Sequence, residues 1–259
     1  MYGSSHGNRI TEFLPVLPPL QATFQNKGNR LAVVKNLIIS IMANLFDEII
    51  TDLTQKDPFV EYKFRKRDSM LLLKKGGKRQ SIELDHWIDH STSSLVIYAV
   101  YGVRFDILHK WFEKFSFNTL QDQRDWTSVA FSGNMLGQQD EFHFKLNKKG
   151  YQKDFENMLT TLIRCSDYVF STYSSLPNFY MKEIQPILDG EAELPDVGAN
   201  WVFIDLTLCK LVRPDNYHQL KNILLDRVEF MYNRGEPNIK EYYEQLDEIL
   251  SHLENTELN

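Results

Sequence analysis

Apolar and polar positions follow two different periods along this chain, and the change of period divides it. In "FVEYKFRKR" (Phe59 to Arg67), Tyr62 and Phe64 alternate with Glu61, Lys63, Arg65 and Arg67, which predicts a half-buried strand with charge on its wet face. "SMLLLKK" is a short apolar run, and Gly76-Gly77 is a hairpin signal that returns the chain into "RQSIELDHW". There Ile82, Leu84 and His86 share one face and Glu83, Asp85 and Trp87 the other. A further strand, Leu95 to Tyr101, ends at Gly102, and "RFDILHKWFEKF" sets Ile107, Leu108, Trp111, Phe112 and Phe115 on one side of a helix. "WTSVAFSG" and "EFHFKL" predict two more strands around a loop that holds Gly133 and Gly137.

From Lys148 the period is helical. Phe155, Met158, Leu159, Leu162 and Val169 form a stripe that predicts a helix from about Tyr151 to Tyr173. "PILDGEAELPDVGAN" is a polar connection, and "WVFIDLTLCKLV" reads as a buried helix. Pro214, Asp215 and Asn216 open a helix that stops at Gly235, and Pro237-Asn238 starts another, which together predict an αα-hairpin. Strands first and helices afterwards, without βαβ alternation, give an α+β fold with an antiparallel sheet of about five strands and a helical C-terminal half. The expected organisation is a single domain over 42–254, sheet-rich over 59–147 and helical over 148–254.

The first 41 residues show neither period and are rich in Gly, Ser and Pro, which predicts a flexible arm or a product of start-codon choice. "MANLFDEIITDL" opens as a domain opens, with Asn44 as the expected N-cap before Leu45, Phe46, Ile49, Ile50 and Leu53. The apolar run from Leu31 to Phe46 is shorter than the ~20 residues that a membrane span requires, and Lys35, Asn36 and Asn44 interrupt it.

Composition adds bounds. With 259 residues, 42% of them apolar, the chain can bury a core without disulfides. Its two cysteines, Cys165 and Cys209, make no disulfide framework or metal cluster and point to a reducing compartment, the cytoplasm. A net charge of −6 argues against a surface that coats nucleic acid or anionic membrane. Four basic residues against one acid precede Met42, so the remainder is more acidic than the total.

Several constellations carry candidate chemistry. In "ELDHWIDH", His86 and His90 stand four apart with Asp89 beside them, and the string resembles the H-x-x-E-H signature of inverted zinc proteases with Asp89 in place of Glu. On a helix both imidazoles would face one ion, with Glu156 as a third ligand; on a strand they lie about 13 Å apart. Glu61 and Lys63 resemble half of the D…E-x-K motif of metal nucleases. Lys63, Arg65, Lys66, Arg67, Lys74, Lys75, Lys78 and Arg79 make a basic hairpin that could grip a phosphate backbone. A solvated edge is the ordinary alternative, with Glu83 and Asp85 neutralising some of these cations. Tyr168, Phe170, Tyr173, Phe179 and Tyr180, and Tyr242 with Tyr243, read either as recognition surface or as a packing layer between helices. Asp205 is the one carboxylate inside an apolar run; buried, it requires a partner such as an arginine or a raised pKa. No G-x-S-x-G, phosphate-cradling loop or C-x-x-C is present.

The function expected from these features is non-enzymatic binding of another protein, as a neutralising (immunity- or antitoxin-like) or regulatory subunit without a cofactor and without a membrane partner. A basic partner is expected, because Glu241, Glu244, Asp247, Glu248 and Glu254 make the C-terminal helices acidic. The first alternative is a metal-dependent hydrolase or nuclease built on His86, Asp89 and His90, with a divalent ion. The second is nucleic-acid binding through the hairpin at 63–79.

Overall fold

The computed structural model describes residues 44–115, 123–124, 126–146, 151–192, 199–236 and 239–258. The reading of 1–41 as an arm or a start-site product lies outside the described residues, as does most of the apolar run at 31–46. The chain divides into units 1–44 and 45–259, and the description concerns the second. No helix among the described residues is long and apolar enough to cross a membrane.

Alternation produces the expected antiparallel meander. After a helix α1 (44–53), the strands β1 (Lys63–Arg65), β2 (Met70–Lys75), β3 (Lys78–Asp89) and β4 (Ser94–Phe105) pair in order. β5 (Val129–Ser132) and β6 (Glu141–Lys145) both pair with β4, which makes six strands where about five were expected. β4 meets β3 along its whole length on one edge; on the other it meets β6 over Ser94–Tyr98 and β5 over Val100–Val103. Gly76 and Gly77 take φ of 58° and 78°, the left-handed turn that matches strand twist and that a side chain would strain.

One face of the sheet carries Ile82, Leu84, Leu95, Ile97, Ala99 and Tyr101 with Phe142 and Phe144, all buried. The long helix α3 (Gln152–Thr172) packs there through Phe155, Met158, Leu162, Cys165 and Val169. Each such side chain removed from water contributes roughly 1.5–3 kcal/mol, so this layer is the core. The other face carries Arg79, Ser81, Glu83, Asp85 and Trp87 opposite Arg104, Gly102, Val100, Tyr98 and Val96.

Beyond α3 the chain is helical: α4 (Leu176–Glu183), α5 (Gln185–Leu188), α6 (Ala199–Val212), α7 (Tyr217–Asn233), α8 (Ile239–Glu244) and α9 (Leu246–Asn255). A short helix, α2 (Asp106–His109), follows β4. "WVFIDLTLCKLV" is the buried helix its length suggested, α6. Lys210 of α6 donates from Nζ to the carbonyls of Leu253, Glu254 and Thr256 at 2.6–3.1 Å, closing the end of α9 as a C-terminal cation does.

Three elements differ from the pattern. Only Lys63–Arg65 of the segment 59–67 is strand; Phe59–Glu61 and Lys66–Asp68 wind as 3-10 turns, the second held by the Arg65–Asp68 ion pair. The helix expected over 107–115 gives way after His109 to a 3-10 stretch at Lys110–Phe115, in which Trp111, Phe112 and Phe115 are buried. The second arm of the αα-hairpin breaks at Gln245, which turns Tyr242 onto Phe112 and Phe203 at centroid distances of 5.9 and 6.1 Å.

Candidate binding site

On the second face, register sets small residues side by side. Ser81, Gly102 and Ala130 form one row across β3, β4 and β5, and Met70, Glu83 and Val100 form the next. Trp126 and Thr127, before β5, and Trp201 and Ile204 of α6 wall the depression, which makes a cleft of about 370 Å³. That volume lies within the usual range of ligand pockets. Gly102 allows the wall to close: a Cβ there would stand 2.4 Å from Thr127 Cγ2 and 2.7 Å from Ser81 Oγ. Trp87 points from the same face four residues beyond Glu83, about 13 Å along the strand, and is 42% exposed. Three of the four tryptophans, Trp87, Trp126 and Trp201, therefore reach the surface or the cleft on this side of the sheet, whereas Trp111 is buried against Phe203 of α6.

Two buried arginines hold the wall. Arg79 and Arg104 are directly opposite in register, a like-charge pair that would destabilise the sheet if left uncompensated. Arg104 Nε donates to Asp106 at 2.7 Å, and its Nη1 donates to the carbonyls of Gln123 at 2.7 Å and Trp126 at 2.9 Å. Arg79 donates to the carbonyls of Arg124 and Trp126. The Trp126 carbonyl thus accepts from both guanidiniums, and charge-assisted bonds of this kind are among the stronger ones.

Below them, Ser128 accepts from the Phe105 N–H at 3.0 Å, and its Oγ lies 2.8 Å from His109 Nε2. Burial first, then Arg104 and Arg79, pushes His109 down to about 3, so the imidazole is neutral near pH 7. This hydroxyl–imidazole pair is closed to substrate: Ser128 is fully buried, and the adjoining cavity of about 10 Å³ holds no more than one water.

The residues singled out in the sequence are distributed over the molecule. His86 lies half-buried on the packed face, stacked on Phe46 at 3.8 Å and 12°, whereas His90 is exposed in the turn after β3. Asp89 accepts from Ser91 Oγ and Thr92 Oγ1, both at 2.7 Å, and from Ser91 N–H at 2.9 Å. Hydrogen bonds from Ser91 and then Thr92 hold its carboxyl down to about 2, the behaviour of a turn cap. Glu156 is exposed on α3 and accepts from Gln152 at 2.8 Å. Among the described residues, no group of three His, Cys, Asp or Glu is placed to hold a metal ion. Glu61 ends a 3-10 turn and Lys63 begins β1, both exposed.

Of the eight hairpin cations, five make internal contacts. Arg65 and Arg67 pair with Asp68, Lys66 with Asp47, Lys78 donates to the Ser174 carbonyl, and Arg79 is buried. Lys63, Lys74 and Lys75 are exposed. In register, Glu83 faces Met70, while Lys74 faces Arg79 and Lys75 faces Lys78. Of the aromatic candidates, Phe170, Tyr173, Phe179, Tyr180 and Tyr242 are buried, Tyr243 stacks on Tyr232 at 4.1 Å, and Tyr168 is 54% exposed. The packing-layer reading fits the five buried rings, and Tyr168 stands outside it. Glu244 and Asp247 are exposed, with Glu244 3.7 Å from Lys240. Asp205 is half-buried on α6, where burial first, and the neighbouring charge of Glu183 second, push its carboxyl up to about 8.

Sequence reasoning missed Trp126, Trp201 and Arg104. No local motif marks them; the Arg104–Trp126 hydrogen bond and the placement of α6 over the sheet bring them together. No protein-family model, curated protein or solved structure matches this chain.

Proposed function

We propose that this protein is a non-enzymatic binding module for another protein, held on the second face of the sheet with a partner side chain in the Trp126–Trp201 cleft. The observation that carries the reading is the gathering of three of four tryptophans on one side of the sheet. Tryptophan supplies large, rigid contact area and is enriched among residues that dominate interface energies. A neutralising or regulatory role in the cytoplasm belongs to the same proposal; the two buried free thiols suit a reducing compartment. The hydrolase reading has less support, since His86 is engaged in a ring stack and Asp89 in a turn cap.

The test is recovery of the tagged full chain from its own cell, followed by size-exclusion chromatography, mass spectrometry and elemental analysis. A stoichiometric second protein is expected, and it should be lost from Trp87→Ser and Trp201→Ala. A lone monomer would overturn the proposal, and stoichiometric zinc or manganese lost on His86→Ala would replace it with the hydrolase.

A further inference from the structure

On the opposite side of the sheet from the tryptophan cleft lies a larger groove of about 560 Å³. Its floor is the Leu73–Gln80 pair of β2 and β3. One wall is the segment around the 3-10 turn Phe59–Glu61, and the other is the face of α3 that carries Ser166, Asp167, Phe170 and Ser171. Between the walls, Tyr62 stacks on Phe170 at 6.4 Å and 26° and donates its hydroxyl to Gln80 Oε1 at 3.0 Å. Pro58 and Val60 extend the apolar surface to the rim, where Val60 is 52% exposed.

We propose that this groove takes a lysine- or arginine-bearing segment of a partner protein, with the aliphatic stem along Val60, Tyr62 and Phe170 and the charged end between Asp57, Glu61 and Asp167. Three carboxylates line the groove and no lysine or arginine does so among the described residues; Lys56 and Lys63 flank the wall in sequence without lining it. The carboxylates stand on both walls. Tyr62 records this, because burial first, Asp167 second and Glu61 third push its phenol above the usual range, so acids from opposite walls act on one point. A single exposed ion pair is weak, but a stem packed on rings beside several converging charges has both the apolar area and the electrostatic complementarity that a basic side chain needs. The inference uses the binding-module reading only in taking a protein segment as the occupant, and it concerns a separate surface.

Fluorescence anisotropy of the full chain with a labelled tetra-lysine peptide at low ionic strength tests it, with tetra-glutamate and spermine as competitors. Saturable binding is expected, weakened about tenfold by Glu61→Gln with Asp167→Asn. The same binding should be unchanged by Glu241→Gln with Glu244→Gln, which removes acids from α8 instead. It should also be unchanged by Trp87→Ser and Trp201→Ala, so that failure here and failure of the tryptophan-face reading are told apart. Absence of saturable binding, or equal losses from both acidic double variants, would overturn the proposal. Spermine displacing the peptide at matched charge concentration would reassign the groove to free polyamines.

Discussion

Beneath α3, the pairs Ile82–Tyr101, Leu84–Ala99 and Ile88–Leu95 give one face of the β3–β4 ladder to volume, whereas the other face pairs Arg79 with Arg104, Ser81 with Gly102 and Glu83 with Val100. Both faces belong to the same twelve-residue strands. The first is stabilised by apolar area removed from water; the second gives up that area and is held by hydrogen bonds to loop carbonyls and by one close backbone approach. A face built in the second way can be concave and chemically varied, because its shape does not depend on filling every position. The cost is reliance on a few residues, chiefly Arg79, Arg104 and Gly102.

Substitutions can break or sharpen this contrast. The largest effect is expected on the packed face: Phe144→Ala, at a fully buried position, should cost about 3–5 kcal/mol in urea unfolding. Next is Arg104→Met, which leaves the Gln123 and Trp126 carbonyls short of a donor; a loss of about 2–3 kcal/mol, with a shift in tryptophan emission, is expected. A loss as small as that of a surface change would show that the second face does not depend on its arginines.

Gly102→Ala should cost about 1–3 kcal/mol through its clash with Thr127, and adding Thr127→Ala should recover part of it in a double-mutant cycle. Additive losses would mean that the two residues do not press on each other.

Asp205 gives a pH lever on α6, the helix that walls the cleft. Its folded carboxyl keeps a proton up to about pH 8, while the unfolded one releases it near ~4. Between those values the folded chain binds more protons, so stability falls as pH rises, and Asp205→Asn should flatten that part of the slope. Thermal midpoints at pH 5 and pH 8 check this. The smallest change is expected from Trp87→Ser, which should alter stability by no more than about 0.5 kcal/mol while removing the partner.

Much of this contrast was legible. Spacing in "RQSIELDHW" separated Ile82, Leu84 and His86 from Glu83, Asp85 and Trp87, and the sheet separates them in the same way. A period of two reports the face of a residue but not its neighbour on the next strand. For that reason the opposition of Lys74 to Arg79, and the row of Ser81, Gly102 and Ala130, were hidden. Trp126 and Trp201 are far apart in sequence and meet only through the placement of α6 over the sheet. The 3-10 winding at Lys110–Phe115 was obscured because its apolar spacing also fits an ordinary helix.

The unequal edges of β4 have a consequence for assembly order. Its β3 partner is continuous and joined through a short turn between Asp89 and Ser94, so this hairpin closes a small loop and forms early. The other edge is completed by two short strands, β6 over Ser94–Tyr98 and β5 over Val100–Val103. Amide exchange should therefore show one slow spine, β3 with β4, and faster exchange at 129–132 and 141–145.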